Sequence, residues 1–369
     1  MMLVLASLVF VPCARNETAT EKETMQLNGF SITLTDPKVD FPKSIEFKIE
    51  AESEVDISKI ALQYQMDEVS IIPVTDVVFP SFVSGPKAVA SWKWDMTQTG
   101  GLPPGADLSY WWSIEDSSGH KTDTPVKTLT FDDGRHAWKE SQSSSFNLYW
   151  YEGDSHFAQQ LVAAGEYALS RLEDDIGAKP ERTVEVYVYG STAALQGSLI
   201  YPQEWTGGLA YTEYGIVALG ISPDQLSWGE GAMAHEMAHL VVHQATMNGY
   251  GIELPTWLDE GLAMYAEGEL SSDMASALSS AVKGGRLDSV QSLSSSFPAE
   301  TAAATLAYAE SYSLVKYLLD YKGGRENMLD LLGAIRAGSG YEEALQDVYG
   351  LSIDQLDAQW KQHLMAGGA

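Results

Sequence analysis

The chain has 369 residues, 45% of them hydrophobic and 10% aromatic, which is enough for more than one core and excludes a disordered acidic tail. It sets 22 Lys and Arg against 51 Asp and Glu, a net charge of −29, which excludes proteins whose work is gripping nucleic-acid phosphates or anionic lipid. The imbalance peaks between Arg182 and Lys283, where twelve acids occur without a single Lys or Arg.

Residues 1–11 (MMLVLASLVFV) form an apolar run that is too short to span a bilayer and has the length of a signal-peptide core, although no basic residue precedes it. We expect residues 1–14 to be a signal peptide, residues 15–25 a polar linker, and the protein to be extracellular or part of the cell envelope. Cys13 is the only cysteine and sits where a lipoprotein cysteine would sit, giving a route to cell-surface attachment, but Pro12 before it fits a lipobox poorly. A mature chain without it has no disulfide and no cysteine metal ligand. No later segment reads as a membrane span.

From residue 26 to 132, period-two alternation predicts short strands at Ser31–Thr35, Ser44–Ile49, Lys59–Gln65, Ala88–Trp94, Leu108–Ile114 and Val126–Phe131. Turn chemistry separates them at Asp36-Pro37, Gly100-Gly101, Pro103-Pro104-Gly105 and Ser117-Ser118-Gly119. Six or seven strands in about a hundred residues predict an immunoglobulin-like β-sandwich. Residues 133–369 read as a second, α+β domain. It has strands at Ser145–Tyr151 and Thr183–Tyr189, a helix capped by Asp154 and ended by Gly177, and one or two strands within Gly208–Gly220. From Trp228 to Leu364 the pattern is almost wholly helical.

The chemistry is concentrated in His235-Glu236-Met237-Ala238-His239. Residues four apart stand above one another on a helix, so both imidazoles can aim at one point, half of a tetrahedral zinc site. Glu236 then leans over the open side, where it can take a proton from water acidified by the metal and hand it to a leaving amine. His243 continues the stripe but lies about 12 Å from His235 along the axis, too far to share a metal with both. It reads as an exposed or core-edge histidine. The better third ligand is Glu260 in Trp257-Leu258-Asp259-Glu260-Gly261, on a second helix opened by Pro255 and joined to the first by a short loop. Asp259 beside it is a candidate partner for a ligating histidine.

His235-Glu236-x-x-His239, twenty intervening residues and Glu260-Gly261 together resemble the gluzincin metallopeptidases, specifically the peptidase MA-like group of exported bacterial proteins. The resemblance covers roughly residues 146–364 and is most specific over 234–267. It implies a thermolysin-like domain with one zinc ion on His235, His239 and Glu260, and Glu236 as general base. It also implies a tyrosine beyond the third ligand that donates to the oxyanion. Tyr308 and Tyr312 stand one turn apart there, and Tyr308 is preferred, although a tyrosine packed in the core would read the same. An edge strand before the motif helix is expected to bind extended peptide, here Gly208-Leu209-Ala210. Ala210 occupies the position of the glutamate that holds a substrate N-terminus in related aminopeptidases, which favours endopeptidase action.

The expected function is thus a secreted zinc metallopeptidase acting on peptides or proteins, with no nucleic-acid partner. The alternatives are a non-catalytic binding or adhesion protein that keeps the fold, and a zinc hydrolase of cell-wall peptides. The acids around the motif predict a negative cleft that favours neutral or basic residues near the scissile bond.

Overall fold

The computed structural model describes residues 21–68, 73–202, 206–298 and 300–367; the expected signal peptide and Cys13 lie outside the described residues. The N-terminal region consists of β1 (Lys22–Leu27), β2 (Phe30–Asp40), β3 (Ser44–Met66), β4 (Asp76–Val78), β5 (Gly85–Asp95), β6 (Ala106–Asp116), β7 (Lys121–Asp123) and β8 (Lys127–Phe131). All eight belong to one sheet, which curls around the long β3. The first half of β3 pairs with β2 and β5, its second half with β6 and β4. Alternate residues enclose one core, with Phe30, Ile32, Phe47, Ile49, Leu62, Leu108 and Trp112 buried.

Three readings of this region need correction. Ser44–Ile49 and Lys59–Gln65 are one strand, because nothing between Ser44 and Met66 is a Gly or Pro that would break it. Asp36-Pro37 is not a turn between strands but an irregularity inside β2, between Thr35 and Lys38, where a proline's missing N–H costs no ladder bond. Residues 22–25 are strand rather than linker: Met25 pairs with Ile32, and Met25 and Leu27 pack on the core.

The second region opens with β9 (Lys139–Gln142), absent from the sequence reading, and β10 (Phe146–Trp150). Then come α1 (Ser155–Ile176), β11 (Val184–Tyr189), the short α2 (Thr192–Gln196), β12 (Gly208–Tyr211) and β13 (Ile216–Gly220). Asp154 accepts the Phe157 N–H and Gly177 ends α1 at φ 68°, a left-handed turn that glycine takes at no steric cost. The sheet order is β12-β13-β11-β10-β9, with β10, β11 and β13 parallel and β12 an antiparallel edge. The alternation of Val184, Val186 and Val188 with Tyr187 and Tyr189 gives β11 two apolar faces. The valines meet the helices, and the tyrosines, with Ile216 and Ala218 of β13, join the core of the N-terminal region. Gly105, at φ 81°, leaves the space that Tyr187 fills; a Cβ there would stand 2.1 Å from its hydroxyl oxygen.

The helices are α3 (Leu226–Thr246), α4 (Thr256–Glu267), α5 (Ser272–Gly284), α6 (Val290–Leu293), α7 (Thr301–Tyr321), α8 (Gly324–Arg336), α9 (Tyr341–Tyr349) and α10 (Ile353–Met365). The helical segment thus begins at Leu226, two residues before Trp228. No helix among the described residues is long and apolar enough to cross a membrane.

Within this bundle α7 buries a carboxyl group. Glu310 is fully inaccessible; one oxygen accepts the Asp288 N–H at 3.1 Å and Oε2 has no hydrogen-bond partner. Burial pushes its pKa from 4.5 up to about 7. A raised folded value means that the stability it confers is complete below pH 4.5 and is lost as pH rises through 7. The gap amounts to about 3 kcal/mol. Denaturant melts should therefore show the unfolding free energy of wild type falling, relative to Glu310→Gln, by about 3 kcal/mol between pH 4.5 and 8. Parallel pH curves for the two proteins would refute this.

Candidate active site

His235, His239 and His243 follow one stripe of α3, and α4 returns antiparallel beside it. The pairing shows the direction: His243 meets Asp259, His239 meets Asp259 and Glu260, and His235 meets Glu260 and Glu267. Gly261 is what lets a third helix close on this pair. A Cβ at that position would stand 2.6 Å from the Ser311 carbonyl oxygen and 2.7 Å from the Val315 side chain, so the missing side chain allows α7 to pack directly on α4. That packing brings Tyr308 to the histidines, its ring centroid 6.3 Å from that of His235.

The inner nitrogens of His235 and His239 lie 3.1 Å apart, and Glu260 Oε2 is 3.3 Å from the first and 3.5 Å from the second. Tetrahedral zinc with bonds of about 2.0–2.1 Å spaces its ligands about 3.3–3.4 Å apart, which these three edges bracket. Glu260 Oε2 is buried with no hydrogen-bond partner, an orphan that a cation would satisfy. The outer nitrogens are committed elsewhere. His235 Nδ1 donates to Glu267 at 2.6 Å and His239 Nδ1 donates to Asp259 at 2.9 Å, leaving each Nε2 lone pair free to face the centre. The residues present therefore fit a divalent metal ion.

Without a cation the electrostatics are those of paired acids and bases. Burial lowers the His235 pKa, but the carboxylates of Glu260 and Glu267 beside it prevail and raise it to about 9. His239 is raised well above its ordinary value, against burial, by Asp259 and Glu260. Glu260 is lowered to about 2 by the two histidines despite burial, and Asp259 is likewise held far down by His239 and His243. Glu236 moves the other way: burial raises it, and the neighbouring imidazoles only partly offset that.

Glu236 abuts the edge strand. A Cβ on Gly208 would lie 2.6 Å from Glu236 Oε1, so this glycine clears the carboxylate's position. Leu209 and Ala210 continue β12, with Ala210 packed against the helical core. Trp228, 48% exposed, stands over Gly207, where a Cβ would meet its ring at 2.9 Å. Burial and the carboxylates of Glu260, Glu236, Glu267 and Asp259 raise the Tyr308 hydroxyl to about 12, so it remains protonated and able to donate. Tyr312 is turned away, its hydroxyl donating to Glu269 at 3.3 Å.

Two roles escaped the sequence reading. Glu267 backs His235; its spacing of seven from Glu260, two helical turns on the same face, was the available signal. His243, read as a bystander, donates to the Asp259 oxygen that already serves His239, at 3.0 Å.

Comparison with known proteins gives one family match, "Peptidase MA superfamily", over residues 164–366. No curated protein matches. Among solved structures, an aminopeptidase A of Legionella pneumophila in complex with aspartic acid is 11% identical, covering 88% of this chain and 49% of its own, with a TM-score of 0.43. The chain thus spans about half the length of that enzyme. A carbohydrate-binding module of family 56, a β-1,3-glucan binding domain, is 16% identical over 27% of this chain and 96% of its own, with a TM-score of 0.17. Catalytically inactive OgpA of Akkermansia muciniphila, in complex with an O-glycopeptide, is 13% identical over 31% of this chain and 30% of its own, with a TM-score of 0.20.

Proposed function

Given that the chain belongs to the Peptidase MA superfamily, we propose that it is a zinc-dependent metallopeptidase that cuts within polypeptides. The observation that carries this reading is the convergence of three donor atoms, 3.1–3.5 Å apart, beside a carboxylate of raised pKa. A zinc ion held by His235, His239 and Glu260 would supply a Lewis acid that acidifies water to near neutrality and polarises a substrate carbonyl. Glu236 takes the proton of the attacking water and delivers it to the leaving amine; burial gives it the basicity that both steps need. Tyr308 donates its hydroxyl hydrogen to the oxyanion as charge develops there, a role for which no Lys or Arg is near in sequence. The free edge of β12 holds an extended substrate through backbone hydrogen bonds, and Glu267 and Asp259 keep the two imidazoles oriented.

Endopeptidase action is supported by β12, Gly208–Tyr211, which carries no carboxylate to hold a substrate's amino terminus. The acids clustered on α3 and α4 support a preference for neutral or basic residues around the cut. We read the curled N-terminal sheet as an immunoglobulin-like accessory module and the protein as exported. Digesting casein and a peptide library with and without a chelator tests the reading. Internal cuts that the chelator abolishes and zinc restores are expected, with Asp and Glu depleted at the cut. An intact library, or cleavage indifferent to chelation, would sink the proposal.

A further inference from the structure

We infer that His243 is a positioning residue for the metal centre, holding the His239 imidazole in its ligating orientation by pinning Asp259. The inference rests on the metallopeptidase reading and extends it one layer outward. Asp259 Oδ1 accepts two hydrogen bonds on the same atom, from His239 Nδ1 at 2.9 Å and from His243 Nε2 at 3.0 Å. A carboxylate with a single donor can rotate about its Cβ–Cγ bond and let the imidazole turn with it. Two donors on one oxygen, approaching from successive turns of α3, fix it in position.

Among the described residues, the side-chain hydrogen bonds to the Asp259 carboxylate come from His239 and His243. The chain between Arg182 and Lys283 contains no Lys or Arg, and the ion pairs that Asp259 makes among the described residues are with His239 and His243. In other zinc-ligand environments a fixed cation could anchor such a carboxylate; here an imidazole does so. His243 is also suited to the role by location. Its side chain is 39% exposed while its Nε2 points inward, and its ring lies 6.3 Å from that of His239 at 71°. Its side-chain hydrogen bond goes to Asp259, and through Asp259 it reaches the His239 imidazole.

The same three residues could be read as a second cation site, since their donor atoms lie within 4.8 Å of one another. That reading requires His239 Nδ1 to shed its hydrogen while Nε2 ligates the first ion, turning a neutral imidazole into a doubly ligating anion. The hydrogen-bonded arrangement needs no such ionisation and is the one the distances favour.

The test follows zinc leaving the protein, not turnover. Full-length protein is loaded with zinc, its stoichiometry measured, and release into excess chelator timed. Loss of a direct partner of a ligating histidine weakens metal binding by about 10–100-fold, so one step further out we expect release about tenfold faster in His243→Leu and His243→Asn. His243→Gln, which returns an N–H donor at similar reach, should stay within about twofold of wild type. In an Asp259→Asn background, where the pinned acceptor is already lost, His243→Leu should add less than about twofold. Unchanged release in both the Leu and Asn variants would overturn the proposal, as would an undiminished effect without Asp259. Two zinc ions per wild-type chain, falling to one in His243→Leu, would also overturn it in favour of a second metal site. A wild-type chain that takes up no zinc would instead defeat the metallopeptidase reading itself, so the two failures are distinguishable.

Discussion

Glu236→Gln is expected to reduce peptide hydrolysis by about a thousandfold, within the 10²–10⁴ range that a positioned general base contributes, and to leave zinc content at one ion per chain. The substitution preserves volume, so it should not disturb the contact with Gly208 or the packing of α3. Glu236 supplies none of the three converging donor atoms, and its removal leaves the paired acids and imidazoles intact. What it removes is a carboxylate whose basicity burial raises, whereas the histidines hold Asp259 and Glu260 low despite their burial. Steady-state kinetics on a fluorogenic peptide, paired with metal analysis of the same preparation, provide the readout. Activity within tenfold of wild type would show that another group moves the proton. Activity lost together with zinc would make Glu236 a structural part of the centre.

Zinc binding at neutral pH is expected to expel protons, and affinity is expected to rise with pH at a rate of about tenfold per unit for each proton displaced. The sign follows from the metal-free site, where carboxylates hold the His235 proton up to about pH 9 and the His239 proton well above its ordinary range. A metal ion must displace these protons, and their competition fades as pH approaches 9. The metal-free protein's own stability moves oppositely: the contribution of protonated His235 is complete below pH 6.5 and is lost as pH rises through 9. Competition against a chelator of known proton affinity at pH 6, 7 and 8 measures the affinity slope, calorimetry in two buffers of different ionisation enthalpy counts the protons released, and denaturant melts of the metal-free protein measure the stability slope. Glu267→Gln, which removes the negative charge of the 2.6 Å partner of His235, should flatten the affinity slope, and a slope of zero in wild type would contradict the argument. Glu260→Gln should cost more than about a hundredfold in affinity, beyond what an outer partner contributes.

The centre was legible because its determinants are local. A spacing of four aligns His235 with His239, and a loop of nine residues between α3 and α4 leaves Glu260 little choice but to face them. Glu267 follows from the same helical repeat, seven residues beyond Glu260 on the same face of α4. The difference between Tyr308 and Tyr312 was not legible, since it depends on Glu269 taking one hydroxyl and on Gly261 setting how α7 lies against α4. In the N-terminal region alternation identified the strands but not their continuity. β3 runs on past the expected gap because residues 50–52 pair with β2 and β5 and Ile57 pairs with β5 and β6, a fact about β2, β5 and β6 and not about the segment itself. β9, four polar-rich residues long, earns its strand geometry solely by pairing with β10.

The tyrosine face of β11 changes what the boundary near residue 132 means. Tyr187 and Tyr189 are buried jointly with Phe41, Leu108 and Phe131 from the other side, Tyr189 donates to Asp133, and Arg182 reaches across to Asp67 at 2.8 Å. A cut at that point would not release a self-sufficient enzyme; it would strip the back of the catalytic sheet and expose a row of aromatic rings to water. The sheet whose edge strand flanks Glu236 therefore rests on residues more than fifty positions upstream of that strand, and the N-terminal module behaves as a buttress of the peptidase half as much as an attachment to it.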